Sequence, residues 1–215
     1  MKTTKAHLKY WKERKIDWEQ SYLFGIDPET NQPMWNHPHR SMIVAILQRI
    51  PFFSLWEVGC GAGANILKLV KEIPGRQYGG SDPNPDAILV AQKMFPNGLF
   101  HTESGDDLIM SDNSTDLILT DACLIYVSPL EIRNYIREIK RVARKYVVLC
   151  EFHGQTGLKR WWFRLTRGYN AYDYKKLLES EGFYDVVAYK IPPTLWPGEP
   201  WKTWGHIIVA KKTKA

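Results

Sequence analysis

Glu57, Gly59, Gly61 and Gly63 fall close together in Leu55-Trp56-Glu57-Val58-Gly59-Cys60-Gly61-Ala62-Gly63-Ala64-Asn65. Glycines at alternate positions let a backbone turn tightly, and they open amides to a ligand that a Cβ would cover. Glu57, two residues ahead of the first glycine, brings a carboxylate to the same crevice. That charge repels a pyrophosphate and attracts an ammonium or a sulfonium. Asp82 ends Gly80-Ser81-Asp82-Pro83-Asn84, nineteen residues beyond Gly63. An acid at the end of a second strand accepts both hydroxyls of a ribose. If a hydroxyl is also to be activated, a base must take its proton. The candidates are His153 in Glu151-Phe152-His153-Gly154, Tyr126, and the His37/His39 pair in Asn36-His37-Pro38-His39-Arg40. Each has a plainer reading: His153 as the cap of a strand end, Tyr126 as a packing residue, Arg40 as a surface residue at a helix start.

The elements that would hold these residues alternate. Strands are expected at 53–58, 77–82, 99–102, 115–120 and 145–152, with helices at 63–72, 85–94 and 129–143 between them, predicting a mostly parallel sheet covered on both faces. A helix at 173–181, a strand at 183–191, a loop at 192–204 and a last strand at 205–212 follow. Two strands joined without a helix are most simply antiparallel neighbours. The fold class is therefore α/β, a doubly wound, mostly parallel seven-stranded sheet ending in an antiparallel hairpin. Ahead of it, Leu8, Trp11, Trp18 and Tyr22 share one face of a helix over 3–22, and a further helix runs from 39 to 50. The division is a helical extension at 1–50 and the main domain at 51–215, with acceptor-side segments at 153–172 and 192–204.

Composition excludes several classes. At 44% hydrophobic and 24% charged the 215 residues suit a globular chain, not a coiled coil or a disordered one. Three cysteines, Cys60, Cys123 and Cys150, make no CxxC pair. A disulfide framework or metal site is not expected, and a reducing cytoplasm suits them. No run approaches the ~18 apolar residues of a membrane span. The net charge of +6 is uneven: residues 1–15 hold six Lys/Arg against one Glu, and residues 16–132 are acidic. The aromatics of 152–172 and 192–204, interleaved with Lys159, Arg160, Arg164 and Arg167, read either as a packed lid or as a site for a flat, cationic or anionic acceptor.

On these residues the sequence resembles the class I S-adenosylmethionine-dependent methyltransferases, over roughly 35–152 and again at the 183–212 hairpin. The resemblance implies S-adenosylmethionine as cofactor. Glu57, Gly59, Cys60, Gly61 and Gly63 would line its methionine part, Asp82 its ribose, and Pro83 and Asn84 its adenine. Glu103 or Ser104 falls where the adenine amine is often contacted. Asp121 and Ala122 open the loop that flanks the transferable methyl, where many relatives place His at the position of Tyr126. Arg40 matches an arginine that pairs with the cofactor carboxylate in some small-molecule members. The implied reaction is methylation of O or N in a small-molecule acceptor. The alternatives are an RNA acceptor, suggested by the basic ends, and a non-catalytic nucleoside-binding protein. A dinucleotide dehydrogenase retains only Gly59-x-Gly61-x-x-Ala64 in its favour.

Overall fold

The structure, a computed structural model, describes residues 4–212. Two short strands, β1 (Ile26–Asp27) and β2 (Gln32–Pro33), pair with each other. The main sheet holds β3 (Ser54–Val58), β4 (Gln77–Asp82), β5 (Leu99–Thr102), β6 (Thr115–Asp121), β7 (Ala143–Phe152), β8 (Phe183–Lys190) and β9 (Gly205–Lys212). Its order is β5-β4-β3-β6-β7-β9-β8. The first five strands in that order are parallel, and β9 runs antiparallel between β7 and β8. The expected seven-stranded sheet and terminal hairpin are thus present, with the last strand inserted inside the edge.

The helices are α1 (Thr4–Glu13), α2 (Pro38–Leu47), α3 (Ala64–Glu72), α4 (Pro85–Met94), α5 (Ile132–Val142), α6 (Gly157–Arg167), α7 (Tyr174–Ser180) and α8 (Trp201–Trp204). The strands β6 and β7 are buried on both faces because helices cover each side. One apolar layer gathers Ile118, Ile136, Ile139 and Val147; the opposite layer gathers Ile43, Leu47, Leu119 and Phe152.

Three expectations change. The single helix over 3–22 is broken: α1 stops at Glu13, and a separate helical turn runs over 18–24. Asp17 causes the break, because its Oδ1 accepts the Gln20 amide at 2.9 Å and so starts a new helix; residue 3 lies outside the described residues. The second helix ends at Leu47, not at 50. The segment 153–172 contains a helix, α6, and the loop 192–204 ends in the short α8.

Beyond the carboxyl ends of β3 and β6 the connections diverge, β3 leading toward β4 and β6 toward β7. A doubly wound sheet opens its ligand crevice at such a point.

Candidate active site

A cavity of about 280 Å³ lies at that crevice. Its floor comes from the β3–α3 turn. Gly59 takes φ +77°, and a Cβ there would come within 2.6 Å of Cys123 Sγ. Gly63, at φ +87°, begins α3, and a Cβ would meet the Phe95 ring at 2.8 Å. Only glycine fits both positions. The turn is tied to the neighbouring strand, since the Gly59 and Cys60 amides donate to Ser81 O and the Gly61 amide donates to Asp82 Oδ2 at 3.0 Å.

Three acids surround the floor. Glu57 is 2% exposed; its Oε1 accepts from Asn65 Nδ2 at 2.6 Å and its Oε2 has no partner. Burial pushes the Glu57 carboxyl up to about 8. Asp82 accepts amides of Gly61 and Asn84 on its two oxygens, and burial still raises it to about 6. Asp121 Oδ2 receives Arg40 Nη1 at 2.7 Å, Asn65 Nδ2 at 3.0 Å and His39 Nε2 at 2.9 Å, while its Oδ1 has no partner. Burial would raise Asp121, but the adjacent His39 and Arg40 hold it well below the usual carboxylate range. Cys150 Sγ lies within 4.8 Å of the His39 and Asp121 ligand atoms; Arg40 already supplies the positive charge beside this carboxylate.

The wall opposite is aromatic. Tyr126 sits against His7, Trp11 and Tyr169, with ring centroids 5.3–5.8 Å away. Trp18 stacks on Tyr22 at 4.8 Å. The Trp11 and Trp18 indole nitrogens are buried without a hydrogen-bond partner. These side chains all line the cavity, so α1 and the 18–24 turn form its roof. Asn84 fastens that roof: its Oδ1 caps α4, and its Nδ2 donates to Trp11 O at 2.6 Å and Arg14 O at 2.9 Å. The remaining wall is a chain of rings in which Trp196 stacks on His39 at 4.0 Å and on Trp201 at 3.8 Å.

Of the residues singled out in the sequence, Arg40, Glu57, Gly59, Cys60, Gly61, Asp82, Pro83, Glu103, Ser104, Asp121, Ala122 and Tyr126 line the cavity. Gly63 and Asn84 stand behind it, and Asn84 faces the roof segment, not a ligand. His153 is not brought to the cavity. It is 6% exposed at the end of β7, where its Nδ1 accepts the Tyr174 amide at 3.2 Å. Lys159, Arg160, Arg164 and Arg167 are also absent from the lining, and the 192–204 segment contributes Trp196. Burial raises the Tyr126 hydroxyl far above its ordinary range, so it stays protonated.

Sequence reasoning missed Glu151. Fully buried, its Oε1 accepts Thr120 Oγ1 at 2.7 Å and the Cys123 and Leu124 amides at 3.1 Å, and its Oε2 accepts the Ile125 amide at 3.2 Å. Burial raises this carboxyl to about 7. The contacts brace the loop that carries Tyr126 and hold Ala122 at φ +55°. The available signal was an acid directly after the apolar run Val147-Val148-Leu149-Cys150.

A family model described as a methyltransferase domain matches residues 56–146, the stretch that contains the glycine turn, Asp82 and Asp121. Residues 56–146 of the chain are thus a methyltransferase domain. No curated protein matches it. Among solved structures, this methyltransferase is similar to magnesium protoporphyrin IX methyltransferase from Synechocystis PCC 6803 with bound SAM. The TM-score is 0.70 at 16% identity, covering 99% of this chain and 98% of that one. It is also similar to phosphoethanolamine N-methyltransferase 2 of Haemonchus contortus (TM-score 0.62, 15% identity, covering 81% of this chain and 53% of that one). A possible histamine N-methyltransferase of Thermotoga maritima gives TM-score 0.60 at 16% identity, covering 83% and 91%. These likenesses carry the fold.

A methyltransferase domain implies S-adenosylmethionine as its cofactor. Its own residues fit that molecule: three buried acceptor atoms without partners, Glu57 Oε2, Glu103 Oε1 and Asp121 Oδ1, belong to side chains lining the cavity. A buried polar atom left unpaired costs about 1–3 kcal/mol, and a ligand bearing ammonium and amine donors removes that cost. Among the described residues, no helix is long and apolar enough to cross a membrane.

Proposed function

We propose that this methyltransferase methylates a hydroxyl oxygen of a small, flat acceptor enclosed between the Trp11–Trp18–Tyr22 roof and the Tyr126 loop. The observation that carries the reading is the chain of contacts His37 Nδ1···His39 Nδ1 at 2.5 Å and His39 Nε2···Asp121 Oδ2 at 2.9 Å, at the edge of the cofactor cavity. Asp121 can only accept, so His39 donates to it from Nε2. Arg40 balances the carboxylate, and burial lowers the affinity of His39 for a second proton. A neutral His39 accepts at Nδ1, and His37 then donates from its own Nδ1, giving up the long 3.4 Å contact in which that atom accepts the His39 amide; His37 Nε2 is left with a lone pair. Burial, then the neighbouring His39 and Arg40, push His37 down to about 4, so it is unprotonated at neutral pH.

Bound S-adenosylmethionine supplies an electrophilic methyl on a sulfonium. Arg40 pairs with its carboxylate, and Glu57 and Asp121 take the ammonium. Asp82 accepts the ribose hydroxyls, and Glu103 Oε1 accepts from the adenine amine. The roof excludes water, and the aromatic walls orient the acceptor for in-line attack. With the cofactor bound, the methyl–sulfur bond would break as the acceptor oxygen bonds to the methyl carbon, S-adenosylhomocysteine would leave as the neutral thioether, and His37 Nε2 would take the acceptor's proton. The Trp11 and Trp18 N–H groups, buried without partners, suit an acceptor with further oxygen atoms. Methyl-labelled cofactor offered with matched phenols and anilines should label phenol oxygen. Equal or faster labelling of the anilines contradicts the reading.

Glu57 gives binding a pH dependence. The free protein holds Glu57 protonated below about 8, whereas pairing with the ammonium requires the carboxylate. Binding therefore releases a proton, and affinity for S-adenosylhomocysteine should rise by up to roughly tenfold per pH unit between pH 6 and 8, then level off. Calorimetry in buffers of different ionisation enthalpy measures this; Glu57→Gln should remove the proton release.

A further inference from the structure

Helix α6 reads Gly157-Leu-Lys-Arg-Trp-Trp-Phe-Arg-Leu-Thr-Arg167 and has two apolar faces. Phe163 is buried against Phe152 at 5.5 Å and Trp204 at 4.7 Å, fixing the inner face. With 3.6 residues per turn, Leu158, Trp161, Trp162 and Leu165 form a stripe about 100° wide, nearly opposite Phe163. They are 75%, 56%, 62% and 43% exposed. Four large apolar side chains directed outward on one short helix leave much of their surface in water, although Leu158 and Trp162 border a pocket formed with Pro200 and Trp204.

The flanks of the stripe are cationic. Lys159 lies on one side and Arg160 and Arg164 on the other, with Arg167 behind, and the helix contains no carboxylate. Arg160 donates to Gly154 O and Gln155 O at the start of the helix. Among the described residues Lys159, Arg164 and Arg167 join none of the ion pairs. Long basic stems beside an apolar stripe can lie along it and lift their charges to the level of phosphate groups, and tryptophan favours the boundary between water and lipid.

We infer that α6 is an interfacial anchor, which lies in the plane of an anionic phospholipid surface with Leu158, Trp161, Trp162 and Leu165 inserted among the acyl chains. Eleven residues rise only about 16 Å, too short to span a bilayer and suited to lying on one. An RNA strand would need cations or ring faces at the centre of the outward surface, where Leu158 and Leu165 stand instead. The helix follows β7, a strand whose carboxyl end adjoins the cofactor crevice. Phe163 reaches the cavity through Phe152, Tyr169 and Tyr126, each ring within 6.0 Å of the next. Anchoring would therefore hold the acceptor side near the lipid. The inference goes beyond the methyl-transfer reading and does not depend on it.

The test uses the full chain with vesicles of phosphatidylcholine containing about one third phosphatidylglycerol, and with vesicles of phosphatidylcholine alone. The protein should sediment with the mixed vesicles, less with the neutral ones, and be released as salt is raised. The Trp161→Ala/Trp162→Ala variant should lose roughly tenfold or more of its partitioning. Unchanged S-adenosylhomocysteine affinity will show that it is folded. Lys159→Glu/Arg164→Glu should abolish the preference for anionic lipid. The inference would be overturned by no sedimentation with mixed vesicles at low salt, by equal sedimentation of the Trp variant, or by self-association that the Trp variant abolishes while vesicles remain unbound. Displacement of the vesicles by RNA at the same site would reassign the patch and equally refute it.

Discussion

Replacing His37 with alanine should cut turnover on a hydroxyl acceptor by roughly 10²–10⁴-fold, the usual contribution of a positioned base. Affinity for S-adenosylhomocysteine should hold to within a few-fold, because the carboxylates and Arg40 that grip the cofactor do not include His37. The pH profile separates a base from a wall residue. His37 accepts a proton only while neutral, and its burial beside His39 and Arg40 lowers its pKa to about 4. At saturating cofactor, which removes the Glu57 binding step, the acid limb of kcat/KM for the acceptor should therefore fall near pH 4–5 and not near the ordinary histidine value. In His37→Ala the residual rate should lack that limb. His37→Gln keeps a polar side chain of similar reach and should not restore the rate. A variant with native turnover, or one that loses only cofactor affinity, would rule out the proton relay.

Asp121→Ala should be the most destructive single change at the site. One carboxylate oxygen collects Arg40, His39 and Asn65, and the Arg40 and Asp121 side chains are 11% and 5% exposed. Removing it leaves a guanidinium buried without its counter-charge, which costs about 3–5 kcal/mol. It also frees His39 from its tautomer, so the loss of activity should match or exceed that of His37→Ala. Urea denaturation measures the first effect and single-turnover methyl transfer the second. Asp121→Asn keeps the shape and one acceptor. It should regain part of the stability, with little activity, since an amide cannot balance Arg40 or select the His39 proton. A midpoint within experimental error of native for Asp121→Ala would mean that solvent reaches this cluster and that the network is not buried as described.

Much of the site was readable along the chain because its requirements are local. Gly59 and Gly63 sit at positive φ, and a backbone that must turn this sharply leaves alternate glycines in the sequence. Asp82 follows from the length of one β-α-β unit. The strands β4 to β7 fall within a residue or two of expectation, since a doubly buried strand leaves an apolar run and each helix a 3.6-residue period.

Other features depend on contacts between distant segments, and no spacing encodes them. His39 and Asp121 lie 82 positions apart, and neither neighbourhood announces the other. The same limit hid the bracing of the 123–125 loop by Glu151. It also made His153 look available when β7 buries it under Tyr174, and made the N-terminal aromatics look like ordinary packing when they roof the cavity. Asp17 shows the reverse case, a local capping bond that overrode a continuous apolar period. The amino-acid order by itself set the sheet, the cofactor turn and its flanking acids, because short-range backbone sterics and burial period specify them. Which side chains meet across the crevice, and which face of α6 is left to the outside, were settled by packing, where burial removes charged and aromatic groups from water and so forces them to find partners far along the chain.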